Sequence, residues 1–193
     1  MGIQEVQNRP SWDVIYMALA FEVAMKSLDP DTKHGCFIVS DDNKPLGFGF
    51  NSPPQGCVDE NIPLTRPEKY FFFEHSEANA ILNAASPDLE GSTFYVTGHP
   101  CSGCFRKARR VKAKRIVYGP VKSNMISPEE MKAIEIMNTD RNGEKIIEMI
   151  KFEDLVANGN VIDSLMLIRK FQDSTWQYIT DKCITPIEKS KHV

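Results

Sequence analysis

Four residues with side chains that bind metals or move protons occur at two places in this sequence. His75 and Glu77 are separated by one residue, and Cys101 and Cys104 lie downstream in the segment Pro-Cys-Ser-Gly-Cys. Two thiolates and one imidazole are ligands that suit zinc, and three protein ligands leave one coordination position open for water. The pattern therefore indicates a catalytic zinc site, in which Glu77 lies beside the metal and moves protons to and from the water.

Each of these two places is predicted to be the start of a helix. Residues 75–85 are rich in helix formers and are followed by Ser86 and Pro87, while Pro100 precedes the second helix. Residues i and i+3 share one face at a helix start, so Cys101 and Cys104 can direct both sulfurs to one point. Proline is tolerated in the first turn, and the positive end of a helix favours thiolates.

A closed structural zinc site is the alternative interpretation of the same ligands. His34, His99, Cys36 or Cys57 could then supply the fourth ligand. Glu77 favours the catalytic interpretation, because a purely structural site has no use for a carboxylate beside the metal. The five cysteines are odd in number and loosely spaced, which argues against a disulfide framework.

The elements that must position these residues follow the order α-β-β-α-β-α-β-α-(β)-α, which predicts an α/β fold with helices covering a sheet. Ser11 is the predicted N-cap of the first helix and Ser127 that of a later one. Residues 145–152 suit either a strand or a helix, and residues 161–171 predict an amphipathic helix. Residues 51–74 form a long loop of the kind that is usually functional.

Composition and charge restrict the class of protein. The net charge is −3, no apolar run reaches the length of a membrane span, and the N-terminus is polar, so we expect a cytoplasmic protein. The basic run 106–115 suits nucleic-acid binding, a solvated helix face beside an acidic partner, or a subunit contact, and the negative net charge argues against the first. The aromatic residues 70–73 could stack on a base, or pack in the core or in a subunit interface.

Three segments resemble the deoxycytidylate deaminase family: residues 47–57 (GFGFNSPPQGC), 74–81 (EHSEANAI) and 100–104 (PCSGC). The stretch 17–40 is similar to the family's first helix and strand, and the resemblance extends from about Ser11 to Tyr118. It implies the three-layer α/β/α cytidine-deaminase-like fold with a five-stranded mixed sheet, and a homo-oligomer. We expect a deaminase core over residues 1–126, then residues 127–193 with a helix and strand that complete the sheet and an unassigned helical extension.

The resemblance also implies an activity, which is the zinc-dependent hydrolysis of dCMP to dUMP that supplies thymidylate synthesis. His75, Cys101 and Cys104 match the family's Zn²⁺ ligands, and Glu77 matches its proton shuttle. Related possibilities are a 5-modified dCMP, a free nucleoside or a polynucleotide base as substrate. A zinc-binding relative without catalytic activity is a further alternative.

Three more residues match substrate contacts of that family. Asn51 matches the residue that hydrogen-bonds the substrate sugar, and the carbonyl of His99 would accept from the departing amino group. Ser76 stands where the family usually has alanine, whose backbone N–H contacts the cytosine carbonyl. Ser52 replaces the family's usual glycine after Asn51, so regulation by deoxynucleoside triphosphates is an open expectation.

Overall fold

The computed structural model describes residues 10–122 and 125–156. Its strands are β1 (Gly35–Val39), β2 (Pro45–Phe50), β3 (Thr93–Val96), β4 (Arg115–Tyr118) and β5 (Glu148–Lys151). They form one sheet in the order β2-β1-β3-β4-β5. Strand β1 is antiparallel to β2 and β3, whereas β3, β4 and β5 are parallel. The predicted five-stranded mixed sheet is therefore confirmed.

The helices are α1 (Trp12–Ala24), α2 (Ser76–Leu82), α3 (Ser102–Arg110), α4 (Pro128–Met137) and α5 (Phe152–Val156). Ser11 caps α1 by accepting from the backbone N–H of Val14 at 3.3 Å, and Ser127 caps α4 by accepting from Glu130 at 3.2 Å. Within the segment that suited either a strand or a helix, β5 forms and α5 follows directly. The helix predicted over residues 161–171 lies outside the described residues, and the division of the chain at residue 126 stays a prediction.

Two clusters of buried side chains, one on each face of the sheet, produce the three layers. Successive strand residues point to opposite faces. On one face the strand residues pack with α1 and α5, and on the other with α2, α3 and α4. The first set is Phe37, Val39, Tyr95 and Val117, and the second is Cys36, Ile38, Phe94, Val96 and Ile116. The three-layer α/β/α arrangement is thus confirmed.

Glycines in β2 allow the backbone of α2 to lie directly on the sheet. A Cβ atom at Gly49 would stand 2.3 Å from the backbone nitrogen of Ala80 and 2.5 Å from the carbonyl oxygen of Ser76. The Asn79 side chain then ties α2 to the end of the strand, because its Nδ2 donates to the carbonyl of Phe50 at 2.8 Å. The position of α2, and of the residues at its start, is therefore set by backbone contact.

One edge of the sheet collects the predicted site residues. Because β1 is antiparallel to its neighbours, its amino end lies beside the carboxyl ends of β2 and β3, with Gly35 opposite Phe50 and Cys36 opposite Val96. Asn51 follows β2 at this edge, and the segment leading to α3 follows β3. None of the helices within the described ranges is long and apolar enough to cross a membrane.

Candidate active site

The three predicted metal ligands converge at the starts of two helices. His75 is the N-cap of α2 and Cys101 the N-cap of α3, where its sulfur also accepts from the backbone N–H of Cys104 at 3.4 Å. The Nδ1 atom of His75 lies 3.5 Å from Cys101 Sγ and 3.4 Å from Cys104 Sγ. In residues 10–122 and 125–156, this is the single group of three possible ligands whose atoms all lie within 4.8 Å of one another.

The spacing of these atoms fits a zinc ion. A tetrahedral centre with Zn–N of about 2.0 Å and Zn–S of about 2.3 Å separates nitrogen from sulfur by about 3.5 Å. The two nitrogen–sulfur distances, 3.5 and 3.4 Å, agree with that value. The donor set of one imidazole and two sulfurs could therefore hold zinc and leave a fourth position open.

The alternative of a closed zinc site is wrong, because none of the four candidate residues is placed to be the fourth ligand. His34, His99, Cys36 and Cys57 all lie outside the ligand group. Cys36 is buried in the core beside Ile38, and Cys57 is exposed on the loop after β2. His34 and His99 line the cleft in front of the site, where they can face a substrate.

Interactions within the ligand group favour the thiolate form of Cys101. The hydrogen bond from the Cys104 thiol, together with the neighbouring imidazole, lowers the pKa of Cys101 to about 3. The hydrogen bond to Cys101 raises the pKa of His75 to about 9. The same interaction with Cys101, followed by burial, raises the pKa of Cys104. The direction of the Cys101 shift favours the thiolate form of that residue, which is the form of cysteine that binds metal.

Glu77 projects from the first turn of α2 into the same cleft. Its side chain is 7% exposed, and burial raises the pKa of its carboxyl group. The Ser76 hydroxyl donates to Glu77 Oε2 at 3.0 Å, a contact that the sequence did not predict. A carboxyl group whose pKa is raised toward neutrality suits a residue that both accepts and donates a proton.

The cleft has a volume of about 560 Å³, which is in the usual range for small-molecule sites. Two groups of residues line most of it. The helix wall, built by the starts of α2 and α3 and the residue preceding Pro100, consists of His75, Ser76, Glu77, His99 and Cys101. The loop wall, built by the loops around β1 and β2, consists of Asp29, Thr32, His34, Asn51, Arg66, Lys69 and Tyr70.

All seven predicted site residues lie at this cleft or in its ligand group. Asn51 is 8% exposed and faces the cleft from the end of β2. The ring of His99 packs edge-on against Tyr118, with ring centroids 4.6 Å apart, and its Nδ1 is 2.9 Å from the carbonyl oxygen of Pro100. The contacts of Asn51, Ser76 and His99 with a substrate stay predictions.

Sequence reasoning missed most of the loop wall. Lys69 is 2% exposed, and its ammonium group lies 2.8 Å from Asp29 Oδ1 and 2.8 Å from Asp31 Oδ2. Arg66 lines the cleft, and its guanidinium group lies 5.9 Å from the Tyr70 ring centroid. The length of the 51–74 loop was a signal of function, but nothing in it identified a buried lysine.

Two other predictions for surface residues can be compared with the structure. Core packing is wrong for the first three aromatic residues of the 70–73 cluster, since Tyr70 is 61%, Phe71 86% and Phe72 39% exposed. The basic run agrees with the solvated face beside acidic partners. Its ion pairs join Lys107 to Glu74, Lys112 to Glu90, Lys114 to Asp41 and Arg115 to Asp13.

The sequence of this chain is similar to those of known proteins. The human deoxycytidylate deaminase is 35% identical over 113 residues, which are 55% of this chain and 64% of the human protein. The deoxycytidylate deaminase of Mycobacterium phage D29 is 30% identical over 128 residues, which cover 58% of this chain and 96% of the phage protein. The chain thus spans less than two thirds of the human relative.

The fold is shared with the dCMP deaminase of cyanophage S-TIM5. In apo form that protein gives a TM-score of 0.54 at 20% identity, covering 75% of this chain and 99% of the phage chain. In complex with dCMP and dUMP it gives 0.53 at 19% identity, covering 79% and 99%. Residues 10–120 match the family described as the cytidine and deoxycytidylate deaminase zinc-binding region, and this span contains the ligand group, the helix wall and the loop wall. The chain therefore belongs to the cytidine and deoxycytidylate deaminase family.

Proposed function

We propose that this protein is a zinc-dependent enzyme that hydrolyses dCMP to dUMP and ammonia. The observation that carries the proposal is the position of the Glu77 carboxyl group, buried in the cleft wall two residues from one metal ligand and facing the same cleft as Cys101. A zinc-binding relative without activity would have no need of such a carboxyl group. The family membership and the names of the relatives support the same reaction.

The chemistry requires an activated water, a proton carrier and a site for cytosine. A zinc ion held by His75, Cys101 and Cys104 would supply the activated water. Glu77 accepts a proton from the attacking water at a carboxylate oxygen and delivers it to N3 of the cytosine ring. A second proton transfer releases the 4-amino group as ammonia. The overall reaction converts dCMP and water into dUMP and ammonia.

Contacts to the base and the sugar involve both walls of the cleft. We assign the backbone N–H of Ser76 to the cytosine carbonyl and the carbonyl of His99 to the departing amino group. Asn51 is assigned to the sugar. These three residues reach the cleft from α2, from the segment before α3 and from the end of β2, so they surround a ligand placed against Glu77.

A monophosphate substrate is supported by cations at the cleft. Arg66 and Lys122 both line it, and Arg66, whose Nε lies 3.5 Å from Asp31 Oδ2, keeps a side chain that is 43% exposed. A guanidinium group that remains accessible to solvent can bind a phosphate group in bidentate fashion. This supports a nucleotide over a free nucleoside.

The test is ammonia release by zinc-loaded protein on dCMP, CMP, dCTP, deoxycytidine and 5-methyl-dCMP in parallel. We expect fast turnover of dCMP and loss of that turnover after zinc is removed with a chelator, with recovery on adding zinc back. Faster turnover of 5-methyl-dCMP or deoxycytidine than of dCMP would identify that compound as the substrate in place of dCMP. No turnover of any of the five compounds would contradict the proposed function.

Several accompanying predictions concern the whole protein. We propose that it acts in the cytoplasm in the supply of dUMP for thymidylate, and that it assembles as a homo-oligomer. Regulation by deoxynucleoside triphosphates is also proposed from the family resemblance. Sedimentation with and without dCTP and dTTP would measure the assembly, and turnover under the same conditions would measure the regulation.

A further inference from the structure

His34 lies in the loop wall, and its backbone is tied to Asn51 on both sides. Its N–H donates to Asn51 Oδ1 at 2.7 Å, and its carbonyl oxygen accepts from the backbone N–H of Asn51 at 3.1 Å. The residue is partly buried and lines the cleft. The imidazole ring is therefore held at a fixed point directly before β1, and neither the ligand group nor the Glu77 proton transfer makes use of it.

Gly98, two residues after the end of β3, leaves room for this ring. A Cβ atom at Gly98 would lie 2.8 Å from His34 Cε1 and 2.0 Å from the carbonyl oxygen of Val121. A side chain at position 98 would therefore collide both with the imidazole and with the backbone of the segment after β4. The His34 ring thus packs beside the backbone of Gly98, close to the segment that carries Lys122.

The Thr97 hydroxyl determines which ring nitrogen of His34 carries the hydrogen. Thr97 is 0% exposed, and within residues 10–122 and 125–156 its Oγ1 has two hydrogen-bond neighbours. Oγ1 accepts from the backbone N–H of Gly35 at 3.1 Å and lies 3.3 Å from His34 Nδ1. Because Gly35 is the donor in the first contact, Nδ1 is the neighbour that can accept the hydroxyl hydrogen. A hydrogen on Nδ1 would leave the buried hydroxyl hydrogen unpaired, which is unfavourable.

The imidazole of His34 is therefore a neutral ring with its hydrogen on Nε2. In a neutral imidazole one nitrogen accepts and the other donates, so acceptance at Nδ1 makes Nε2–H the donor. Burial lowers the pKa of His34 to about 4, in agreement with a neutral ring. Among the described residues Nε2 has no hydrogen-bond partner, which leaves this donor available to a ligand in the cleft.

Lys122 indicates which part of a substrate this donor meets. Lys122 lines the cleft, and its positive charge acts on the His34 ring. A cation and an N–H donor on one side of a cleft suit the charged oxygens of a phosphate group. Resting on dCMP as the substrate, we propose that His34 is a specificity-determining residue whose Nε2–H donates to a phosphate oxygen of dCMP. Thr97 is a positioning residue that holds His34 in this tautomer.

The first test compares His34→Leu with His34→Gln in the zinc-loaded enzyme. Neither variant adds a charge, but glutamine keeps an N–H donor on its side chain and leucine does not. In His34→Leu we expect KM for dCMP to rise about tenfold or more, the size of a hydrogen bond to a charged group, with kcat nearly unchanged. Turnover of deoxycytidine, which lacks the phosphate, should not change, and His34→Gln should recover most of the affinity for dCMP. An equal loss for dCMP and deoxycytidine would overturn the proposal.

The second test measures the tautomer itself by NMR of protein with ¹⁵N-labelled histidine. The chain has four histidines, and the signals of His34 are identified by their loss in His34→Gln. We expect hydrogen on Nε2 in the wild type and in Thr97→Ser, which keeps the hydroxyl. In Thr97→Val we expect the hydrogen to be shared between Nδ1 and Nε2, and KM for dCMP to rise several-fold. Wild-type signals and KM in folded Thr97→Val would contradict the positioning role of Thr97.

A titration of the wild-type protein decides the matter without a variant that must fold. We expect the ¹⁵N signal of His34 Nε2 to move on adding dUMP, the product, and to move much less on adding deoxyuridine, which has no phosphate. Equal changes with the two compounds would overturn the assignment to the phosphate. If the wild type turns over no dCMP, the proposed function fails, whereas hydrogen on Nδ1 of His34 in the wild type would separately refute the donor role.

Discussion

The helix wall and the loop wall enclose the same cleft but are built in different ways. In the helix wall, His75 and Glu77 lie within one turn of α2, and Cys101 lies within one turn of α3 together with the third ligand, Cys104. In the loop wall, Lys69 contacts partners 40 and 38 residues away, at Asp29 and Asp31. On the proposed function, the first wall carries the groups assigned to the base, and the second carries those assigned to the sugar and the phosphate.

On the proposed function, this difference separates the catalytic groups from those that recognise the substrate. The groups of the helix wall are held by backbone contact between α2 and β2. Gly49 has no side chain, so the backbone of α2 can pack directly against the strand at this position. The groups of the loop wall are held by hydrogen bonds and ion pairs among side chains. A change in the helix wall should therefore lower kcat, and a change in the loop wall should alter KM and the choice of substrate.

The largest effect should come from Glu77→Gln, which keeps the size of the side chain and removes its ability to carry a proton. We expect kcat for dCMP to fall by about 10⁴-fold, near the upper end for a lost acid–base group. Zinc content, measured by atomic absorption, should stay at the wild-type value because Glu77 is not a ligand. Substantial turnover by this variant would refute the role of Glu77 as proton carrier.

A smaller effect should follow from Gly49→Ala, which breaks the backbone contact behind the helix wall. The added Cβ would meet the backbone of Ala80 at 2.3 Å, so α2 must move and carry Glu77 with it. We expect kcat to fall by about 100-fold, as for a misplacement of about 1 Å, with some loss of zinc. Leu82→Ala is the control on the same helix, since Leu82 is 76% exposed and should be neutral. Wild-type kcat and zinc content in Gly49→Ala would contradict the account of the helix wall.

Arg66→Ala tests the loop wall from the side of the phosphate. We expect KM for dCMP to rise about tenfold, the size of one charge-assisted hydrogen bond, with kcat nearly unchanged. Turnover of deoxycytidine, which lacks a phosphate, should not change. Lys112→Ala removes a positive charge at a distance and serves as control. An equal loss for dCMP and deoxycytidine would show that Arg66 does not select the phosphate.

Ser76→Ala should produce the smallest change, because it restores the family's usual residue and removes one hydrogen bond to Glu77 Oε2. We expect kcat to fall by about two- to tenfold, in keeping with a single neutral donor, while KM changes little. Steady-state kinetics on dCMP measures both constants. An increase in KM without a change in kcat would place Ser76 with the recognition groups instead.

The sequence by itself determined the ligand group and the elements that bear it. His75, Glu77, Cys101 and Cys104 are identified by short spacings that one helical turn converts directly into geometry. Short runs of β-prone residues likewise predicted the strands, because such runs and the turns between them are local features of the chain. The N-caps Ser11 and Ser127 were predicted for the same reason, since each acts on its own helix.

Only the tertiary structure decided the loop wall. No local pattern indicates that Lys69 is buried while its neighbours Tyr70 and Phe71 are exposed. Its burial depends on carboxylates 38 and 40 residues away, which the folding of β1 and β2 brings to the same edge of the sheet. The orientation of the Asn51 amide likewise depends on distant residues, because its hydrogen-bond partners are Asp29, Thr32 and His34. A helical turn is a local property of the chain, whereas the surroundings of a buried charge exist only after distant segments have packed together.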